Sequence, residues 1–141
     1  LFDFSGTRAT AQAKRLLNNY EGLLMTDGYS VYSKLARESE KSIINLNCWA
    51  HARRKFVESK NSKFPDAVLN SIICMIGKLY AIEKQVRGLA PKRIKKLRKR
   101  AGRILKKLKA FLEEKIEDYA PKESVRQAIQ YCLNIWEGLT Q

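Results

Sequence analysis

Between positions 92 and 109 the chain carries eleven lysines and arginines and no acidic residue. This run constrains the fold more than any other feature. Within and just beyond it, Ile94, Leu97, Ala101, Ile104, Leu108 and Phe111 recur at alternating spacings of three and four, the pattern of a helix with one apolar seam. The seam is expected to be buried against neighbouring helices, with Lys95, Lys96, Lys99, Arg103, Lys106 and Lys107 among the outward residues. An ordinary solvated helix mixes signs, because Glu and Lys one turn apart support each other. A face of one sign repels itself unless a polyanion lies close. Lys and Arg are also good helix formers, so a plain solvated flank is the competing reading. The whole chain leans the same way, with 28 Lys and Arg against 14 Asp and Glu and a formal net charge of +14. Nucleic acid is the first polyanion to consider and an anionic membrane surface the second.

The 141 residues divide by pattern at about position 60. Residues 1–60 alternate short strands and helices, which points to an α/β arrangement. Phe2 and Phe4 mark a first strand, and Ala9, Ala13, Leu16, Leu17 and Tyr20 form one face of a helix. Leu23–Thr26 is a short apolar run suited to a buried strand, followed by a short helix or turn around Val31, Tyr32 and Leu35. From Ser42 to Cys48 the residues alternate, with Ile44, Leu46 and Cys48 on one side and Asn45 and Asn47 on the other. Trp49 to Glu58 reads as a helix with Trp49, Ala52, Phe56 and Val57 inward. Residues 61–141 read as helical throughout. They hold a stripe of Leu69, Ile72, Ile73, Ile76, Leu79 and Tyr80, the basic helix at 92–119, and a last helix burying Val125, Ala128, Ile129, Cys132, Trp136 and Leu139.

Hydrophobic residues make up 45% of the chain, enough for a core. No stretch approaches the roughly 18 to 20 apolar residues of a membrane span. No signal peptide opens the chain and position 1 is not Met, so it reads as a piece of a longer protein. Cys48, Cys74 and Cys132 are odd in number and form no Cys-x-x-Cys pair, which fits a reducing compartment. Cys48 and His51 have the spacing of two zinc ligands, but His51 is the only histidine, which argues against a zinc site.

Thr26-Asp27-Gly28-Tyr29 follows the apolar run of a strand. Taken alone, an Asp-Gly pair there reads first as a turn. The functional reading is a carboxylate held at a strand end for a divalent metal. Composition and spacing leave both open. The segment Leu24-Met25-Thr26-Asp27-Gly28-Tyr29-Ser30-Val31-Tyr32 resembles the second-aspartate motif of insertion-sequence-66-type transposases, enzymes of the Asp-Asp-Glu class. Cys48-Trp49-Ala50-His51-Ala52-Arg53-Arg54-Lys55-Phe56 resembles that family's most recognisable string. The opening Phe2-Asp3-Phe4-Ser5-Gly6-Thr7-Arg8 and the closing segment from Ala128 to Leu139 also fit, so the resemblance spans nearly the whole chain, more weakly through its basic middle.

The resemblance implies a partial ribonuclease-H-like catalytic core over 1–60 and a helical insertion over 61–141. It makes Asp27 the second of three metal-binding carboxylates, with Gly28, Tyr29, Cys48 and His51 as motif residues around it. The first carboxylate is expected upstream of Leu1 and the third downstream of Gln141, so the chain by itself is expected to be inactive. The implied cofactor is Mg²⁺ or Mn²⁺. The implied partner is DNA, both the insertion-sequence ends and the target, with homo-oligomers of the full-length protein and a cytoplasmic, nucleoid-associated location. Arg53, Arg54 and Lys55 become candidate phosphate contacts. A non-catalytic nucleic-acid-binding helical protein is the alternative, and it differs in not needing Asp27.

Overall fold

The computed structural model describes residues 10–39, 42–60 and 66–141, so the strand expected around Phe2 and Phe4 lies outside the described residues. The chain is mostly helical with one two-stranded parallel sheet, a mixed α/β composition. Its described residues form two compact units, one within 10–48 with 137–139 and 141, the other within 49–136 with 140.

The first unit contains α1 (Thr10–Leu16), β1 (Gly22–Thr26), α2 (Ser30–Glu38) and β2 (Ile43–Asn47). The two strands pair in parallel, from Gly22 against Ile43 to Thr26 against Asn47. Parallel neighbours need a crossover, which α2 supplies. The alternation along β2 is as expected, but the covered side is the one that carries Asn45 and Asn47, together with the buried Ile43. Thr26 and Asn47 are buried, and Asn45 is half-buried. Thr26 Oγ1 donates to Asn45 Oδ1 at 3.0 Å and accepts from Asn47 Nδ2 at 3.1 Å. Asn45 Nδ2 donates to Ser33 Oγ on α2 at 3.1 Å. These bonds satisfy the groups and make their burial tolerable. On the opposite side Leu23 and Met25 are each 62% exposed, beside Ile44 at 39%. The expectation of a buried β1 is therefore corrected in part: Leu23 and Met25 lie on the uncovered face, and Leu24 on the covered one is half-buried. Leu16 and Tyr20 are also exposed, since α1 stops at Leu16 and buries only Ala13.

The second unit is built from α3 (Trp49–Glu58), α4 (Ala67–Val86), α5 (Pro91–Lys115), a 3-10 turn (Ile116–Asp118) and α6 (Ser124–Asn134). A short α7 (Trp136–Thr140) shares its residues between the units. Asp66 caps α4 by accepting from Leu69 N–H at 2.9 Å, and also accepts from the Tyr119 hydroxyl at 2.7 Å. Burial and that carboxylate push the Tyr119 hydroxyl well above its ordinary pKa. Arg126 donates to the carbonyls of Ile116 and Tyr119 and pairs with Glu117, tying α6 to the end of α5.

The core of this unit is Ala52 and Phe56 of α3, Leu69, Ile72, Ile76, Leu79, Ile82 and Val86 of α4, Leu108 and Leu112 of α5, and Val125, Ala128, Ile129 and Cys132 of α6. Val57 and Tyr80, expected inside, are exposed. The seam of α5 is buried less deeply than its spacing suggests: Leu108 is fully covered, whereas Ile94, Leu97, Ala101, Ile104 and Phe111 are half-buried. The last helix is not continuous. It breaks at Ile135, and Trp136 is half-buried with its ring 5.8 Å edge-on from that of Trp49.

Candidate functional site

β1 ends at Thr26 and the chain turns immediately. Asp27 Oδ1 accepts from Tyr29 N–H at 3.2 Å, and Gly28 takes φ +89°, where a side chain would be strained. The Asp-Gly pair is thus a turn in fact. That turn leaves Asp27 exposed at the carboxyl end of the strand. Cys48 occupies the matching place after β2: its N–H donates to Thr26 O at 3.2 Å, one step beyond the Thr26–Asn47 pair. Asp27 and Cys48 therefore leave neighbouring parallel strands at the same edge, about 4.8 Å apart in strand spacing. Open α/β sheets bind ligands at that edge. Tyr29 precedes α2, and its ring meets Tyr32 edge-on at 6.0 Å. The sheet edge is braced by Glu137–Leu139, where Leu139 is buried. Gly138 lies so close that a Cβ there would collide with the Asn47 side-chain amide and stand 3.0 Å from the Asn45 carbonyl oxygen. Sequence patterns gave no sign of this contact, because a helical glycine near a chain end has no periodicity to betray it.

In the second unit His51 sits in the first turn of α3, with its Nδ1 buried and unbonded among the described residues. Arg53 and Arg54 are exposed, while the Lys55 ammonium lies 5.0 Å over the Tyr131 ring. Lys95, Lys96, Lys99, Arg103, Lys106 and Lys107 are all exposed along α5. Arg98, by contrast, makes a two-pronged bond to Glu83 of α4, both contacts at 3.1 Å. Burial pushes the Cys132 thiol up to about 12, which disfavours its thiolate.

A hard divalent cation takes oxygen ligands, and Asp27 suits one coordination position. The described residues contain no cluster of three or more His, Cys, Asp or Glu able to hold a metal, so they make no complete site. No described helix is long and apolar enough to cross a membrane.

The family model described as "Transposase IS66 family" matches residues 1–141. The chain belongs to the IS66 transposase family. Two curated relatives from Sinorhizobium fredii (strain NBRC 101917 / NGR234) align over almost the entire chain. The protein y4jD, named as uncharacterized, is 35% identical over 142 residues, covering 96% of this chain and 27% of its own length. The protein y4qI, also named as uncharacterized, is 32% identical over 144 residues, covering 98% of this chain and 26% of its own. The chain thus spans about a quarter of the length of these relatives. No solved structure matches it.

Proposed function

We propose that this chain is the part of an IS66-family transposase that carries the second metal-binding carboxylate, Asp27, together with a helical insertion. The observation that carries the reading is the place of Asp27, exposed at the carboxyl edge of a parallel strand with Cys48 beside it, inside a chain that the family model matches throughout. The β1–α2–β2 unit is read as part of a ribonuclease-H-like core, residues 1–60, and residues 61–141 as the insertion. The reaction is cleavage and transfer of DNA strands at the ends of an insertion sequence, in the cytoplasm at the nucleoid. Asp27 would hold Mg²⁺ or Mn²⁺, whose chemistry when bound is to activate the attacking oxygen and steady the leaving one. A single carboxylate does not place such ions, so the reading assigns catalysis to a polypeptide of the relatives' length, acting as a homo-oligomer.

Asp27 contributes charge and a hard oxygen. The turn through Gly28 and Tyr29 fixes its direction. His51, with its buried Nδ1 unbonded among the described residues, is read as a hydrogen-bonding group of the complete protein. Arg53 and Arg54 are free to meet phosphates, more so than Lys55 on its tyrosine. In a full-length family member containing this segment, Asp27→Asn keeps the shape and removes the charge. Strand cleavage should fall by about a hundred- to a thousandfold, an effect of the order seen when a key electrostatic group is removed, while binding to the transposon end stays within about twofold. Near-normal cleavage by Asp27→Asn in Mg²⁺ would reject the assignment.

A further inference from the structure

The outward face of α5 remains unaccounted for by the chemistry at Asp27. Lys92, Lys96, Lys99, Arg103, Lys106 and Lys107 are exposed and have no acidic partner among the described residues. At about 100° per residue, they fall within an arc of about 100° and form one ridge about 22 Å long. Arg98 is outside it and pairs with Glu83 of α4. The first turn of α5 has no acid and opens with Lys92 and Arg93, so like charges meet the positive end of the helix dipole. This arrangement destabilises the bare helix and is relieved by an anion lying along it. Acids return only from Glu113, past the end of the ridge.

We infer that this ridge of α5 is a sequence-independent grip on the sugar-phosphate backbone of duplex DNA. The choice of DNA over other polyanions rests on the transposase reading; the rest follows from the surface. A membrane-surface helix turns its apolar side to the lipid. The apolar seam of α5 faces the helices of its own unit instead, and no large hydrophobic side chain of α5 is exposed. Single-stranded nucleic acid is gripped by stacking on aromatic rings. The one aromatic residue of α5, Phe111, is half-buried and lies beyond the ridge. Only cations are presented, which suits phosphates and carries no base readout. The ridge length corresponds to about six phosphates of one strand.

The test is titration of a labelled duplex with the 141-residue chain at several salt concentrations. Six phosphate contacts give a slope of log K against log salt of about −5. Replacing Lys96, Lys99, Arg103 and Lys107 together with Gln should flatten that slope by about three to four units. Arg98→Gln, which removes an arginine held by Glu83, should leave it unchanged within half a unit. If the quadruple variant loses its helical circular dichroism, Lys99→Gln and Arg103→Gln made singly should each remove about 0.9 from the slope. Equal slopes for the wild type and the substituted chains would overturn the inference. Tighter binding to single-stranded DNA, to duplex RNA or to phosphatidylserine vesicles would overturn it as well. Because the readout is binding alone, its failure leaves the role of Asp27 standing, and the loss of that role leaves the ridge intact.

Discussion

Thr26 Oγ1 joins two asparagines of the neighbouring strand, and the residue scale of this fold is best seen there. A hydroxyl that donates to one amide and accepts from another is satisfied in both directions, which lets β1 and β2 bury polar groups beside Ile43 on their covered side. Thr26→Val removes that hydroxyl at nearly constant volume and strands both amides. The loss should be about 1–3 kcal/mol in a urea titration, the cost of buried groups left without partners. A neutral result would mean that water already serves these amides. The alternation of β2 is correct as a period, but a period of two does not say which side is covered. Neither does hydrophobicity, because polar groups enter a core when they satisfy one another. The turn at Asp27 was legible for a different reason: an Asp-Gly pair closing an apolar run encodes it locally. The orientation of Lys55 over Tyr131 depends on residues 76 positions apart, read from the numbering, and no local pattern records it.

At the scale of elements, helices with strong signals lie close to where their sequences put them. Trp49–Glu58 coincides with its expected span, and Pro91 opens α5 at the position where its missing N–H costs nothing. What was not legible was depth. The seam of α5 is deeply covered at Leu108 and shallow at Ile94 and Leu97, because spacing reports a side of a helix and not the reach of its neighbours. The break at Ile135 was hidden too, since the apolar positions continue across it. Two glycines separate local propensity from packing. Gly102 lies in α5, where an added methyl would meet nothing within 4 Å, so Gly102→Ala should stabilise the chain by up to about 1 kcal/mol. Gly138 is also helical, yet an added methyl collides with Asn47. Gly138→Ala should therefore destabilise by about 1–3 kcal/mol despite the better propensity. Thermal unfolding of the pair checks the opposite signs, and a stabilising Gly138→Ala would show that α7 does not press on the sheet.

For the molecule as a whole, one unit carries the exposed Asp27 at a sheet edge and the other carries the row of exposed lysines and arginines on α5. In the proposed account these are separate tasks, with metal-assisted strand chemistry at Asp27 and general adhesion to the duplex along α5. Family membership was legible because the string from Cys48 to Phe56 is specific and further matches follow in order along the chain; the metal site is not legible to the same degree, since an Asp-Gly pair after an apolar run reads first as a turn. Whether Asp27 is a metal ligand is decided by Asp27→Cys in a full-length family member, with cleavage measured in Mg²⁺ and in Mn²⁺. Sulfur is a poor ligand for hard Mg²⁺ and a better one for the softer ion. If Asp27 holds the ion, cleavage is lost in Mg²⁺ and recovers by about tenfold or more in Mn²⁺, beyond any gain of the unsubstituted enzyme. Full activity of Asp27→Cys in Mg²⁺, or the same loss in both ions, would contradict it.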